Sequence, residues 1–245
     1  MRAIAGQTGM SVLLAAALLA GWLVLHVAGV FLAPLDRVTL IAAPVVILVQ
    51  AWLSAGLFIV AHDCMHGSFA PGRPGLNRAV GTLCVALYAC FSYRQLEASH
   101  FRHHRHAGRE GDPDFNPADP HGFLRWYLRF FANYYTHGQI LRITLVACVY
   151  IFAFGAELAN IALFWAVPAL LSSLQLFAFG TWLPHRHDGS PFADRHNARS
   201  NRSGWIGSLL SCFHFGGYHH EHHLHPGVPW WALPQASGAM PKRAA

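Results

Sequence analysis

Histidines arranged in three motifs are the residues of this sequence best suited to chemistry. The first motif has the pattern HDxxH, and the other two have the pattern HxxHH. Residues three and four apart on a helix share a face, so the imidazoles of one motif can converge on a metal ion. The histidines of these motifs are His62, His66, His100, His103, His104, His219, His222 and His223.

The type of these residues does not choose the metal, because imidazole nitrogen suits iron, zinc, copper and nickel. Their number indicates more. One tetrahedral zinc needs about four ligands, whereas eight histidines favour two metals with positions left open. A solvated histidine-rich surface is the simpler alternative, but it would not require the repeated spacing. A histidine-rich metal-binding protein or transporter is another, and it predicts ligands inside the bilayer along a conduction path.

Further candidates lie beside the motifs. His185 follows Thr181-Trp182-Leu183-Pro184 at the end of a long apolar run, where the other ligands should emerge from the membrane, so we predict it as a ninth ligand. Carboxylates near metal-binding histidines can orient the imidazole rings through their second nitrogens. The carboxylates next to the motifs are Asp63, Glu97, Asp112, Asp114 and Glu221.

The elements that must position these side chains are apolar. The sequence is 54% hydrophobic and 11% charged, against roughly 25% charged in an average soluble domain. Four segments are long enough to approach or exceed the roughly 20 residues that cross a bilayer. The run at 79–91 is shorter and predicts an interfacial or re-entrant segment. We therefore predict an all-α integral membrane fold in one domain, with spans at about 11–33, 38–61, 139–156 and 158–184 in two hairpins.

The arginines predict the orientation. Eight lie between His62 and Gly138, five follow Pro184 together with Lys242, and Arg37 alone lies in the opposite loop. The positive-inside rule then places residues 62–138 and 185–245 in the cytoplasm as a helical cap that holds the metal site, with the cell inner membrane as the expected location. Basic residues that flank apolar runs report topology more often than nucleic-acid binding, so no nucleic acid is expected.

The two ends of the chain carry weaker signals. The first apolar run exceeds the roughly 7–15 residues of a signal peptide, so we expect it to be retained as a span. The tail from about residue 235, with its Gly, Ala, Ser and Pro, predicts disorder. The five cysteines form no CxxC pair, so neither a disulfide framework nor a thiolate metal site is expected.

In the order and spacing of its motifs the sequence resembles the membrane fatty acid desaturase and hydroxylase superfamily. Within it, the sequence is most similar to the bacterial-type β-carotene ketolases. The similarity rests on AHDCMHGSFAPGRPGLN, FSYRQLEASHFRHHRHAG with the following DPDF, FGTWLPHR, FADRHNARS and FHFGGYHHEHHLHPGVPWW. These strings extend from about Ala61 to Leu233.

The resemblance implies a non-haem diiron centre bound by the eight motif histidines, with His185 as an extra ligand. It implies an oxygenase that converts the C4 methylene of β-ionone rings to a ketone, taking β-carotene to echinenone and canthaxanthin. Two successive O2-dependent hydroxylations and a dehydration would achieve this. Because the sequence has no nucleotide, haem or iron–sulfur motif, an external ferredoxin-like donor should supply the electrons. A fatty acyl desaturase or a carotenoid ring hydroxylase with the same metal site is the alternative.

A carotenoid is a long hydrocarbon, so its ring is expected to reach the metals from the bilayer through an apolar channel. Aromatic residues near the end of the fourth span and before the third motif are candidates to line it, although such residues also pack in cores and at membrane interfaces. These candidates are Phe177, Phe179, Trp182, Phe213, Phe215 and Tyr218. Arg102, Arg105 and Arg109 can receive an acidic donor or contact lipid headgroups.

Overall fold

The computed structural model describes residues 4–239, and within that range the chain is helical and has no β-strand. Four long helices form its apolar part: α1 (Gln7–Leu32), α2 (Arg37–Met65), α6 (His137–Phe154) and α7 (Leu158–His185). Shorter helices form the rest: α3 (Pro74–Ala89), α4 (Tyr93–His106), α5 (Phe123–Tyr134), α8 (Gly204–Cys212), α9 (His219–Leu224) and α10 (Leu233–Ala239). The predicted all-α fold with four spans is confirmed.

The four long helices are apolar enough to cross a bilayer. Their outer surfaces expose large apolar side chains, and Phe152 on α6 is 84% exposed. An apolar surface of this extent is typical of contact with lipid. The chain is therefore an integral membrane protein.

The helix bounds differ from the predicted spans by a few residues. α1 begins at Gln7 rather than at residue 11, because polar residues can extend a helix beyond its apolar run. α6 covers His137–Phe154 rather than 139–156, because Gly155 adopts a left-handed conformation (φ 68°) that ends the helix. α2 continues to Met65, beyond the predicted end of the span at residue 61.

Close packing between α1 and α7 depends on Gly29. A Cβ atom at this position would lie 2.6 Å from the ring of Phe164. Residues Ala28–Leu32 of α1 form a π-helical turn. The Asn160 side-chain amide donates hydrogen bonds to the carbonyls of Gly29 (2.9 Å) and Ala33 (2.8 Å), which satisfies backbone groups that lipid cannot.

The helix α3 packs along α2 and leads into α4. Its 16 residues span about 24 Å, which is too short to cross a bilayer comfortably. The hydroxyl of Tyr88 donates to the carbonyl of Ala169 on α7 at 3.2 Å. α3 thus lies against both α2 and α7, the two long helices that carry predicted metal ligands at their ends.

The C-terminal segment is folded further than predicted. Disorder was expected from about residue 235, but residues Leu233–Ala239 form α10. Leu233 is buried with Val228 and Ala232, and this apolar contact anchors the helix. Residues beyond 239 lie outside the described part of the chain.

Candidate metal centre

The helix α2 presents the first motif. It extends past the end of its apolar run, so His62 and His66 lie one turn apart, with ring centroids 4.9 Å from each other. α7 ends at His185, whose side chain is buried. Both long helices therefore deliver imidazoles to the same region of the cap.

Two short helices of the cap present the other motifs. α4 carries the second motif in its last two turns, and α9 is made almost entirely of the third. The side chains of His103, His219, His222 and His223 are buried.

The nine predicted ligands lie in two separate groups. Within each group, one nitrogen from every ring lies within 4.8 Å of the corresponding nitrogen of every other ring. The five-histidine group is His62, His66, His100, His104 and His222. The four-histidine group is His103, His185, His219 and His223.

The two HxxHH motifs divide their histidines between the groups in opposite ways. In the second motif, His100 and His104 belong to the five-histidine group and His103 to the four-histidine group. In the third motif, His219 and His223 belong to the four-histidine group and His222 to the five-histidine group. Each motif thus contributes an i, i+4 pair to one group and a single ring to the other, which ties the two groups together.

The nitrogens inside each group are too close together to be explained by hydrogen bonds alone. The Nε2 atom of His219 lies 2.9 Å from Nε2 of His185 and 3.0 Å from Nε2 of His223. One imidazole nitrogen carries either a proton or a lone pair, so these contacts cannot all be N–H···N bonds. Two ligands at about 2.1 Å from one metal and at right angles are about 3 Å apart, so the spacing fits a shared metal ion.

The five-histidine group has the same character. The Nε2 atoms of His66 and His100 are 2.6 Å apart, and those of His104 and His222 are 3.1 Å apart. His62 is 2% exposed, and neither of its ring nitrogens has a hydrogen-bond partner within residues 4–239. Buried polar atoms without partners are costly, and a metal ion bound by His62 would satisfy one of these two nitrogens.

Most of the histidine rings that lie outside the membrane-spanning helices are kept neutral by burial and by repulsion between neighbouring imidazoles. Burial, reinforced by neighbouring imidazoles, lowers the pKa well below its usual value in the metal-free protein. The affected rings are His66, His100, His104, His219, His222 and His223. A neutral imidazole has the free lone pair that a metal requires.

His103 has a different environment, because it is bonded to a carboxylate. Its Nδ1 lies 3.0 Å from both carboxylate oxygens of Asp112. Burial alone would lower the pKa of His103, but the Asp112 carboxylate outweighs it and raises this pKa to about 9. Asp112 is itself fixed by the backbone amides of Gly108 (2.9 Å) and Asp114 (2.8 Å). This carboxylate holds the ring of His103 with Nε2 toward the four-histidine group.

The remaining carboxylates play different parts. Asp63 Oδ1 lies 3.6 Å from Nδ1 of His62, too far for a hydrogen bond, and its other oxygen accepts the backbone N–H of Trp230. Asp114 Oδ2 lies 3.7 Å from Nδ1 of His103, and its other oxygen, Oδ1, accepts a hydrogen bond from the hydroxyl of Tyr134. Asp63 therefore fastens the C-terminal segment to α2 rather than orienting a ring.

Glu221 and Glu97 do not meet any histidine of the two groups. Glu221 accepts hydrogen bonds from Ser200 and from the guanidinium of Arg202, so it fixes α9 to the preceding loop. Glu97 is half-buried, and no histidine of the described chain lies within ion-pair distance of it.

A backbone carbonyl, which residue types cannot reveal, orients the ninth predicted ligand. Nδ1 of His185 donates to the carbonyl of Asn197 at 2.7 Å. The Asn197 side chain donates in turn to the carbonyl of Ala107 at 2.9 Å. The only sequence signal for this contact is that Asn197 falls within the FADRHNARS string.

An apolar cavity, part of it open to the surroundings, reaches the two groups. His62 and His100 of the five-histidine group and His103 and His219 of the four-histidine group line its polar end. The rest of the wall is largely apolar and comes from α2, α3, α5 and α7. It includes Phe58, Tyr88, Phe91, Phe130, Phe131, Tyr135 and Leu176.

Comparison with known proteins settles the family. A family model described as fatty acid desaturase matches residues 38–145 and 132–245. The chain belongs to the fatty acid desaturase family. Its matched regions include all three histidine motifs and His185, so both histidine groups are contained in the family match.

Curated relatives of this chain carry ketolase names. The chain is 48% identical to the "Beta-carotene ketolase" of Paracoccus sp. (strain N81106 / MBIC 01143), over 94% of this chain and 93% of the relative. It is 49% identical to the "Beta-carotene ketolase" of Paracoccus sp. (strain PC1), again over 94% and 93%. It is 38% identical to the "Zeaxanthin 4-ketolase" of Chlamydomonas reinhardtii, over 75% of this chain and 41% of the relative.

Most of the predicted channel residues lie outside the cavity lining. Phe215 lines the cavity. Phe177 is fully buried among the aromatic side chains of α5, and Phe213 stacks on Trp52 with ring centroids 4.3 Å apart. Trp182 packs on Phe123. Tyr218 and Phe179 also lie outside the cavity lining.

The aromatic wall that sequence reasoning missed comes chiefly from α5 and the residue after it. Phe130, Phe131, Tyr134 and Tyr135 line the cavity. The signal was present as the aromatic-rich stretch at 123–135, where apolar and arginine residues alternate at helical spacing. Its position beside the histidines depends on how the loop at 107–122 folds, which spacing does not specify.

Proposed function

We propose that this chain oxidises the C4 methylene of a carotenoid β-ionone ring to a ketone, using O2 and external electrons. Two close relatives named for β-carotene ketolation match nearly the full chain. The chain contains each residue of the two histidine groups. Supporting this function is an apolar cavity that reaches both groups.

The cavity is the single observation that best supports the substrate class. Its walls are aromatic and aliphatic, and four imidazoles lie at one end. A β-ionone ring on a hydrocarbon chain has little polar surface, so burial in such a cavity removes apolar area from water. The ring end of the substrate would then lie against the histidines, and the polyene would extend toward the apolar helices.

We propose that each histidine group holds one iron ion. The five-histidine group would hold one through His62, His66, His100, His104 and His222, and the four-histidine group would hold the other through His103, His185, His219 and His223. Iron at these positions would supply the oxidising chemistry that no protein side chain provides. Hydrogen bonds from His103 to Asp112 and from His185 to Asn197 fix two rings of the four-histidine group.

Apolar residues around the two histidine groups would exclude water and hold the β-ionone ring of the substrate in place. Phe215 lies over the histidines, with its centroid 4.5 Å from that of His62 and 4.7 Å from that of His219.

The full conversion consumes two O2, four electrons and four protons, and releases three water molecules for each carbonyl formed. The chain must therefore admit electrons and protons twice for each ring.

Electrons are proposed to arrive from a ferredoxin-like donor at the outer face of α4. Arg94, Arg102 and Arg105 are exposed on this helix, opposite the face that carries the histidines. One helix diameter of about 10 Å separates the two faces, and a cationic face suits an acidic donor. The arginine distribution favours a cytoplasmic location for the cap, at the inner membrane.

Pigment analysis tests this function directly. Cells that make β-carotene would express the wild type, His103→Ala or His220→Ala. Their carotenoids would be separated by liquid chromatography and identified by mass spectrometry. The wild type should produce rings that have lost two hydrogens and gained one oxygen. His103→Ala should abolish this product. His220 lies in the third motif but bonds Asp194 at 2.9 Å and belongs to neither group, so it serves as the matched control.

Each outcome has a distinct meaning. A hydroxylated ring without a ketone would make the chain a ring hydroxylase. Unaltered β-carotene together with a newly introduced acyl double bond would make it a fatty acyl desaturase. Either result would overturn the proposed ketolase.

A further inference from the structure

Thr181 carries a buried cavity hydroxyl that has no hydrogen-bond partner among residues 4–239. Thr181 lines the cavity and is 5% exposed. A threonine inside a helix usually bonds a carbonyl one turn earlier, as Thr144 of α6 does with Ile140 at 2.9 Å. The Thr181 hydroxyl makes no hydrogen bond to any residue of the described chain. It lies in a π-helical turn, Ala178–Trp182, a feature that often marks functional sites.

Three other hydroxyls that line the cavity, those of Ser173, Tyr88 and Tyr134, already have hydrogen-bond partners in the protein. Ser173 donates to the carbonyl of Leu170 at 2.9 Å, and its oxygen lies 2.7 Å from the hydroxyl of Tyr127. Tyr88 donates to Ala169, and Tyr134 to Asp114. The Tyr135 hydroxyl also has no hydrogen-bond partner among residues 4–239, but its ring packs on Phe91 and Phe131 rather than on a histidine. Thr181 is thus the hydroxyl near the histidines that remains free to bind a ligand.

Neighbouring residues place Thr181 close to the histidine groups. A Cβ atom on Gly180 would lie 3.3 Å from the ring of Phe215. That ring packs against His62 and His219, one from each group. His185 follows Thr181 by four residues, roughly one helical turn along α7. Ser173, by contrast, lies eight residues earlier, about 12 Å further from this end.

Resting on the proposed function, we propose that Thr181 binds the ring oxygen installed by the first oxidation and holds that carbon in place for the second. The first oxidation turns the C4 methylene into a secondary alcohol: one C–H bond breaks, one C–O bond forms, and the second oxygen atom of O2 leaves as water with two electrons and two protons. The second converts this carbon to a geminal diol, which loses water to give the ketone. An alcohol in an apolar cavity needs a hydrogen-bond partner, and Thr181 provides it.

The test compares product ratios in β-carotene-producing cells. Thr181→Val keeps the shape of the side chain and removes the hydroxyl. We expect the ratio of 4-hydroxy to 4-keto rings to rise about fivefold or more, the factor that loss of one hydrogen bond produces. Thr181→Ser should restore the wild-type ratio. A merely structural role would lower total oxidised pigment without changing this ratio.

Thr144→Val is the matched control, because it makes the same change at a helical threonine outside the cavity, whose hydroxyl already bonds the carbonyl of Ile140. It should leave the ratio at the wild-type value. An unchanged ratio in Thr181→Val, in a wild type that does form ketone, overturns this inference alone. Absence of ketone in the wild type overturns the proposed function instead. If Thr181→Val does not accumulate in membranes, Thr181→Ala decides: a wild-type ratio in that variant also overturns the inference.

Discussion

His103 donates from Nδ1 to both carboxylate oxygens of Asp112, each at 3.0 Å, and its Nε2 lies 3.3 Å from Nε2 of His223. The carboxylate therefore fixes the ring so that the opposite nitrogen faces the four-histidine group. This contact joins a loop of the cap to α4 and α9. It is the arrangement by which a carboxylate usually orients a metal-binding histidine.

Replacing Asp112 should weaken metal binding without disrupting the fold. Asp112→Asn preserves the size of the side chain but removes its charge, so we expect a roughly 10–100-fold loss of metal affinity or activity. The metal content of the purified protein and the amount of ketone formed in cells measure this loss. Asp194→Asn is the control, since Asp194 pairs with His220 outside both groups. Equal losses in both variants would contradict a specific role for Asp112.

His185 should behave as a ligand although it belongs to no motif. His185→Ala removes one of four rings from its group, so the iron content should fall by about one ion per chain and ketone formation should cease. His187→Ala is the control, because its ring bonds the carbonyl of Gly108 at 3.0 Å and lies outside both groups. Retention of full iron by His185→Ala would remove it from the ligand set.

The metal-free protein should lose stability in acid. Burial lowers the pKa of rings such as His66, His100 and His222 in the folded state, so they stay neutral when folded and take up protons when unfolded. Their contribution is present above the unfolded pKa of about 6.5 and is lost as the pH falls below it. His103 has the opposite sign, because its raised pKa of about 9 contributes stability that is lost at high pH.

More of these histidines have a lowered pKa than a raised one, so the metal-free protein as a whole should become less stable as the pH falls. Thermal unfolding of the metal-free protein in detergent should give a lower Tm at pH 5.5 than at pH 7.5. Iron-loaded protein should show a smaller difference near neutral pH, because bound metal stabilises the folded state. A higher Tm at pH 5.5 for the metal-free form would contradict neutral buried rings.

Filling the cavity should block the substrate while sparing the metals. Leu176 lines the cavity and is 8% exposed, so Leu176→Trp places a larger ring in the path of the polyene. We expect ketone formation to fall more than about tenfold with unchanged iron content, at a packing cost of about 1–3 kcal/mol. Leu171→Trp on the same helix is 36% exposed in the wild type and serves as the control. Equal activity in both variants would place the substrate elsewhere.

The apolar runs and the spacing of the motifs were enough to predict the four spans and the identity of the nine histidines that converge. The division of these histidines between two groups was less accessible. At about 100° per residue, His100 and His104 are about 40° apart around α4, whereas His103 lies about 60° to the other side of His100. That angle sends His103 to the other group, but only the position of α9 shows which rings it joins.

Contacts that depend on loop conformation could not be predicted from residue types. The loop at 107–122 brings Asp112 to His103 and sets the position of α5. Glu221 seemed equally suited to orient a histidine, yet it bonds Ser200 and Arg202. A carboxylate beside a motif has several polar partners within reach, and the tertiary fold selects among them.

We propose that two iron ions lie beside the apolar cavity and support ketone formation. Elemental analysis of protein purified from ketone-forming membranes, combined with Mössbauer spectroscopy of 57Fe-enriched protein, tests it most directly. We expect two iron ions per chain, and in His185→Ala we expect the loss of one ion together with the loss of ketone formation. Ketone formation by a chain that holds a single metal ion, or zinc in place of iron, would contradict it.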